Sequence, residues 1–398
     1  MKKDIVLICL VFVLCLLTSC TQSENPDGTN ADQGTSYSYN ENAPDFSKGE
    51  NNSENPSVLQ YDFSLSDQLK NSRIDQVYPI SSTQFYILYF SDTQYYLGFF
   101  DSAQNAVKNT VVLASTETAM ISGYLQGENI CIEVNEMVLS GADIKQRSSV
   151  FRIYDQNLEK LFELDTNKIA PFGITAFGVN PDLEKIAYQT YKDNQNVLCV
   201  NNVECTAPQY VTFDGQIDSI QTLSFINENS VAFVGIKNNE DIFGTINFVD
   251  GSISTYRHSG ISDRIFTSSP KILFSDKKTE INQNSSGIVY TLNREDLKLS
   301  KIPLIDSNES QNAYLSCEGD FIITCLVGKQ QDGNAAYRYR VYEAASGKMI
   351  NEFDRYVNSP IEQTDVQYIS GDASDNRVTV IYRLNGTAYM EQYQLKKS

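Results

Sequence analysis

The chain has 398 residues, 41% hydrophobic and 11% aromatic, which excludes wholesale disorder and a bundle of membrane spans. Its 31 Lys plus Arg against 50 Asp plus Glu give a formal charge of −19, which argues against nucleic acid or an anionic lipid surface as the main partner, since docking there would need a local basic patch. A single histidine, His258, and no tryptophan leave no basis for a polyhistidine metal site or for motifs built on indole.

At the N-terminus, Lys2 and Lys3 precede an apolar run from Ile5 to Leu17. As a helix it reaches about 20 Å, too short for a bilayer core of about 30 Å but suited to a signal peptide. It ends in Leu17-Thr18-Ser19-Cys20, which resembles the lipobox of bacterial lipoproteins. That resemblance implies a signal peptide over 1–19, cleavage before Cys20, and a diacylglycerol thioether on the Cys20 sulfur. Two acyl chains anchor stably where one does not, so the implied partner is the lipid bilayer and the implied location the extracytoplasmic membrane face.

Residues 20–57 follow as a polar stalk. Asn, Ser, Gly, Asp, Glu and Thr dominate it, and so little apolar surface cannot offset the entropy of ordering.

From 58 to 398 the pattern is strand and turn; only Ser66 to Arg73 reads as helical. Aromatic and β-branched runs alternate with Asn, Asp, Gly and Ser clusters. In Tyr337-Arg338-Tyr339-Arg340-Val341 the two arginines share one face and the apolar residues the other, one face in and one out. A long period is also present. Apolar strands introduced by polar turns centre near Ile87, Cys131, Ala187, Ala232, Leu273, Ile323 and Val380, about 49 residues apart. A blade of four antiparallel strands needs a unit of this size, so the pattern predicts an all-β, seven-bladed β-propeller.

The third blade is expected over 174–179, 185–191, 196–200 and 208–213, and the fourth over 220–226, 230–236, 242–249 and 253–257. The seventh unit has only three strands (366–370, 377–384, 387–395), while an orphan strand, Val58 to Leu65, precedes the first. The two are expected to pair and close the ring.

Asn180-Pro181-Asp182-Leu183-Glu184-Lys185-Ile186-Ala187-Tyr188 resembles the F-S-P-D-G-K-x-I-A-Y hairpin of TolB-like, WD40-related propeller repeats, and Ile226 to Phe233 is a looser copy. The resemblance implies a turn joining the first and second strands of a blade. Leu183 occupies the place of the family glycine.

Candidate chemistry is sparse. His258 falls on the connection between the fourth and fifth blades, where a general base would need a carboxylate partner; a solvated loop residue is the alternative. Asp372-Ala373-Ser374-Asp375 and Asn238-Asn239-Glu240-Asp241 offer oxygens without the spacing of a Ca²⁺ loop. No metal and no cofactor are expected. Cys131, Cys199, Cys205, Cys317 and Cys325 remain besides Cys20, an odd count; Cys199 and Cys205 either bridge two strands or stay as buried thiols. The 24 tyrosines and 20 phenylalanines read mainly as packing between blades. The leading expectation is a non-catalytic binding or scaffolding module for an envelope protein or peptide. A polysaccharide-acting enzyme with a site at the channel mouth and a two-lobed solute-binding lipoprotein of a transporter are the alternatives.

Overall fold

The computed structural model describes residues 57–396, less the connecting segments 64–68, 70–71, 82, 116–118, 127, 141–142, 170–175, 259, 267–270, 277–287, 305–312, 318–319, 361–363, 374 and 385–386. The segments expected to be a signal peptide (1–19) and a stalk, with Cys20, lie outside the described residues up to 56, and Ser57 already belongs to the first strand.

Seven four-stranded antiparallel sheets follow one another along the chain. Blade 1 holds β2 (Arg73–Pro79), β3 (Gln84–Ser91), β4 (Gln94–Asp101) and β5 (Ala106–Ser115). Blade 2 holds β6 (Ala119–Gln126), β7 (Asn129–Ser140), β8 (Asp143–Tyr154) and β9 (Lys160–Asp165). A helical turn, α1 (Thr166–Ile169), leads to blade 3, with β10 (Phe177–Val179), β11 (Lys185–Lys192), β12 (Gln195–Asn202) and β13 (Gln209–Thr212). Blade 4 holds β14 (Ser219–Asn227), β15 (Ser230–Lys237), β16 (Glu240–Asn247) and β17 (Ile253–Arg257). Blade 5 holds β18 (Ile261–Phe266), β19 (Lys271–Asp276), β20 (Ile288–Asn293) and β21 (Leu299–Pro303). Blade 6 holds β22 (Ala313–Ser316), β23 (Phe321–Lys329), β24 (Asn334–Glu343) and β25 (Met349–Pro360). Blade 7 holds β26 (Thr364–Asp372), β27 (Arg377–Leu384) and β28 (Thr387–Gln394), and its fourth strand is β1 (Ser57–Asp62).

β1 runs antiparallel to β28 from Ser57↔Gln394 to Asp62↔Tyr389, so the first strand closes the last blade as expected. The fold is a seven-bladed β-propeller. Two α/β lobes are not formed, which removes the solute-binding alternative.

The core explains why a ring forms. Seven hydrophobic clusters lie one between each pair of neighbouring blades, the seventh joining Ile381 and Met390 of blade 7 to Ile74, Phe85 and Phe100 of blade 1. A second strand feeds two clusters at once. In β15, Val231 and Phe233 pack toward blade 3 while Ala232 and Val234 pack toward blade 5, so the strand is apolar on both faces. This corrects the one-face-in, one-face-out reading of β24. Tyr337, Tyr339 and Val341 do share a core with blade 7, but the opposite face is also covered: Ala336 and Tyr342 pack toward blade 5. On that face Arg338 pairs with Asp354 (2.8 Å) and Arg340 with Glu352 (2.6 Å) of the adjacent β25.

The segment Ser66 to Arg73, expected to be helical, lies mostly outside the described residues. Of that segment's described residues, Ser72 N–H donates to the Leu69 carbonyl (2.9 Å) and Arg73 opens β2.

Candidate functional site

Antiparallel order puts the hairpins between second and third strands and the connections between blades on one face of the ring. On that face most hairpins end flush. β11–β12 turns through Asp193 and Asn194 (φ 49° and 65°), and β15–β16 through Asn238 and Asn239 (φ 50° and 65°). Two left-handed residues in succession define the tight turn that matches strand twist, and Asn and Asp tolerate it.

Blade 2 departs from this pattern. β6 pairs with β7 only as far as Ala119↔Glu136, and β8 with β9 only as far as Val150↔Asp165. β7 and β8 continue together through Met137↔Arg147, Val138↔Gln146, Leu139↔Ile144 and Ser140↔Asp143. This two-stranded arm extends about 13 Å past the blade. A bulge between Val138 and Leu139 inserts Lys145 on β8.

Beside the arm, β6 is the innermost strand of its blade and yet leaves large apolar side chains open: Met120 is 57% exposed and Tyr124 43%. Among the described residues no other innermost strand does so. The local cause is the neighbour. The facing innermost strand of blade 3, β10, has only three residues. What fills the junction is aromatic: Tyr124 lies 6.2 Å from Phe151, which lies 4.6 Å from Phe177 of β10. Gln126 Nε2 donates to the Val179 carbonyl (2.7 Å), and its Oε1 accepts from the Cys131 thiol (3.3 Å), tying the two blades. The Tyr124 ring is open while its hydroxyl end is tucked toward Cys131, its cross-strand partner. Burial pushes the Cys131 thiol up to about 12, against the pull of the Tyr124 hydrogen bond. Burial likewise raises the Tyr124 hydroxyl well above the ordinary tyrosine value, with Cys131 and Glu133 adding to it. Neither group is an acid or nucleophile near neutral pH. The junction offers apolar surface and backbone hydrogen bonds, a recognition chemistry.

His258 sits beyond β17, half-buried, with Nδ1 3.0 Å from the Tyr290 hydroxyl. Its backbone N–H donates to the Asp241 carbonyl (3.3 Å), and the Asp241 carboxylate accepts from Gly260 N–H (3.0 Å). The residue pins a connection between blades and is neither a fully solvated loop residue nor part of the blade 2–3 junction. The acidic turns likewise serve their own backbone: Asp372 Oδ1 accepts from Asp375 N–H (3.4 Å). At the other turn Asn238 N–H donates to Asp218 (2.6 Å). Among the described residues no group of three or more His, Cys, Asp or Glu is placed to hold a metal ion.

The five ring cysteines, Cys131, Cys199, Cys205, Cys317 and Cys325, form no disulfide among the described residues. Cys199 lies inside the sheet opposite Tyr210, whereas Cys205 sits at φ 59° in the loop 203–208, so Asn201 and Asn202 end β12 rather than form a turn.

One constellation has no local signature in the sequence. Arg355 of β25 holds Glu391 of β28 with two hydrogen bonds (2.7 and 2.6 Å), and the hydroxyls of Tyr382 (2.9 Å) and Tyr393 donate to the same carboxylate. Burial works against the Arg355 charge, but the Glu391 contact more than offsets it and raises the guanidinium further. Burial, helped by Glu391, lifts the Tyr382 hydroxyl to about 12. This is a tyrosine cluster with a cationic neighbour, as a polysaccharide-acting site would require, but Glu391 is 2% exposed and the crevice around it has no room for a water molecule. It is a tie between blades 6 and 7.

No family model matches the chain, and no curated protein matches it. Solved structures similar to it include an uncharacterized protein of Listeria monocytogenes EGD-e, at 14% identity and TM-score 0.45, over 82% of this chain and 95% of that one. TolB from Acinetobacter baumannii matches at 13% identity and TM-score 0.30, over 82% and 80%. Pyrococcus horikoshii acylaminoacyl peptidase matches at 11% identity and TM-score 0.41, over 71% of this chain and 47% of that one, so the chain spans about half the length of that enzyme.

Proposed function

We propose that this chain is a membrane-anchored, extracytoplasmic binding module that carries a protein or peptide partner at the junction of blades 2 and 3. The anchor is Cys20, after the Leu17-Thr18-Ser19 run, and the polar segment up to residue 56 sets the ring off from the lipid. The observation that carries the reading is the pair of open apolar side chains, Met120 and Tyr124, on an innermost strand. Apolar surface of this kind, left uncovered in a ring that buries it at every other innermost strand described, is what a partner covers.

The test places a photoreactive phenylalanine analogue at Met120 in cells that naturally make the chain. A discrete cross-linked adduct in the membrane pellet is expected, and Cys20→Ser should move both protein and adduct to the soluble fraction. Absence of an adduct overturns the binding site; an unchanged pellet with Cys20→Ser overturns the anchor.

A further inference from the structure

We infer that the partner bound at the junction of blades 2 and 3 sets a basic side chain, lysine or arginine, against Glu133, with an apolar residue beside it; the inference rests on the binding-module reading above. Antiparallel register places the acceptor. Met120, Ser122 and Tyr124 of β6 lie opposite Asn135, Glu133 and Cys131 of β7, so Met120, Ser122, Tyr124 and Glu133 share one face of the sheet. Residues two apart on a strand are about 7 Å apart, so the exposed row Met120, Ser122, Tyr124 spans about 13 Å, with the carboxylate at its middle level.

Glu133 is half-buried, and its Oε1 accepts a hydrogen bond from the Ser149 hydroxyl (3.1 Å). That bond fixes the side chain and leaves Oε2 with no partner among the described residues. Two cations of the same blade, Arg152 and Lys160, both bind Glu163 (3.0 and 2.8 Å), and Arg152 lies opposite Ile132, on the other face of the sheet. A carboxylate partly withdrawn from water gains more from a positive charge than an exposed one does. Beside it, the open Met120 and Tyr124 side chains give cover for the alkyl stem of lysine or arginine, and the tyrosine ring attracts the charge itself. A purely apolar segment would cover Glu133 and leave it unpaired, at a cost; a basic residue next to an apolar one satisfies both parts of the surface. Charge complementarity thus names the occupant, a polypeptide segment with that pair of residues. The formal charge of −19 acts in the same sense, drawing in a basic segment and repelling a second copy of this chain.

The experiment uses the full chain in the cells that make it, with the photoreactive phenylalanine analogue at Met120 and the cross-linked segment sequenced by mass spectrometry. The attachment point should fall within about three residues, or about 10 Å of extended chain, of a lysine or arginine. Glu133→Gln should lower the adduct yield at least about tenfold. Glu133→Arg should abolish the adduct, and changing the basic residue of the cross-linked segment to glutamate should restore it in that background. If neither Glu133 variant folds, the segment captured by the unaltered carboxylate decides alone. A segment with no basic residue at that distance, an unchanged yield in folded Glu133→Gln, or attachment to a second copy of this chain overturns this inference and leaves the binding-module reading standing. Attachment to lipid, or no adduct at all, overturns both.

Discussion

Arg355 and Glu391, 36 residues apart in sequence and on different blades, form a two-bonded ion pair whose buried carboxylate is also held by Tyr382 and Tyr393, while the guanidinium keeps partial contact with solvent. Its partners are the outermost strand of blade 6 and the third strand of blade 7, the strand onto which β1 docks. Removing Arg355 leaves a buried carboxylate with only hydroxyl partners, whereas removing Glu391 leaves a guanidinium that solvent already reaches. Arg355→Met should cost about 3–5 kcal/mol and Glu391→Leu less, because the guanidinium left behind is partly solvated, while the two changes together should recover most of the larger loss. Chemical denaturation of the four proteins as a double-mutant cycle measures the coupling; additive single losses would show that the two residues act independently.

Acid should expose a second ion pair. Lys108, 2.6 Å from Asp101, holds that carboxyl below the usual aspartate range; burial opposes it and the Ala103 N–H (2.9 Å) assists. A carboxyl depressed in the folded state binds protons more readily when unfolded, so its stabilisation is complete above the unfolded value of about 4 and is lost as pH falls below it. Thermal midpoints from pH 2 to 7 should show a shallower acid limb for Asp101→Asn than for the parent, with the variant less stable at pH 7.

The hairpin that resembles TolB-like repeats is held by Asn180. Its Oδ1 accepts from Glu184 N–H (2.9 Å) and Lys185 N–H (2.6 Å). Leu183, at the family's glycine position, adopts φ 57°, the conformation that glycine reaches without strain. Asn180→Ala should cost about 1–3 kcal/mol for unpaired N–H groups. Leu183→Gly should be neutral within about 1 kcal/mol, because relief of strain offsets the loss of a half-buried side chain. Urea midpoints of the two variants check the order.

Thiol reactivity should rank the ring cysteines. Cys205 is half-buried, and Cys131, Cys199, Cys317 and Cys325 are buried. With burial lifting the Cys131 thiol to about 12, iodoacetamide at pH 8 should modify Cys205 first and Cys131 only on unfolding, as read by peptide mass mapping.

The second strand of every blade was legible because it is buried on both faces: Ile87, Cys131, Ala187, Ala232, Leu273, Ile323 and Val380 all lie in such strands, and a double burial reads as a continuous apolar run. The pairing of β1 with β28 followed from counting three strands at one end and a spare at the other. A repeat in the opposite loops went unread. Asp101, Asn202, Asn247 and Asn293 each end a third strand, Asp155 directly follows one, and each accepts a hydrogen bond from a backbone N–H two or four residues on. These side-chain-capped turns recur in five of the seven blades, blades 1 to 5. The candidate site was not legible. The shortness of β10 and the overrun of β7 and β8 are mismatches between neighbours, and no local period encodes them. The Arg355–Glu391 pair is likewise a contact between distant segments.

The pairing of Ser57 with Gln394 also sets an order of events. A polypeptide threaded out of its synthesis machinery head first exposes β1 long before its mate β28 exists, and the six blades between must assemble while that leading strand waits. Completion of the circle is therefore the last step of maturation, and a product interrupted anywhere upstream of Thr387 leaves two unsatisfied sheet margins for quality-control proteases to find.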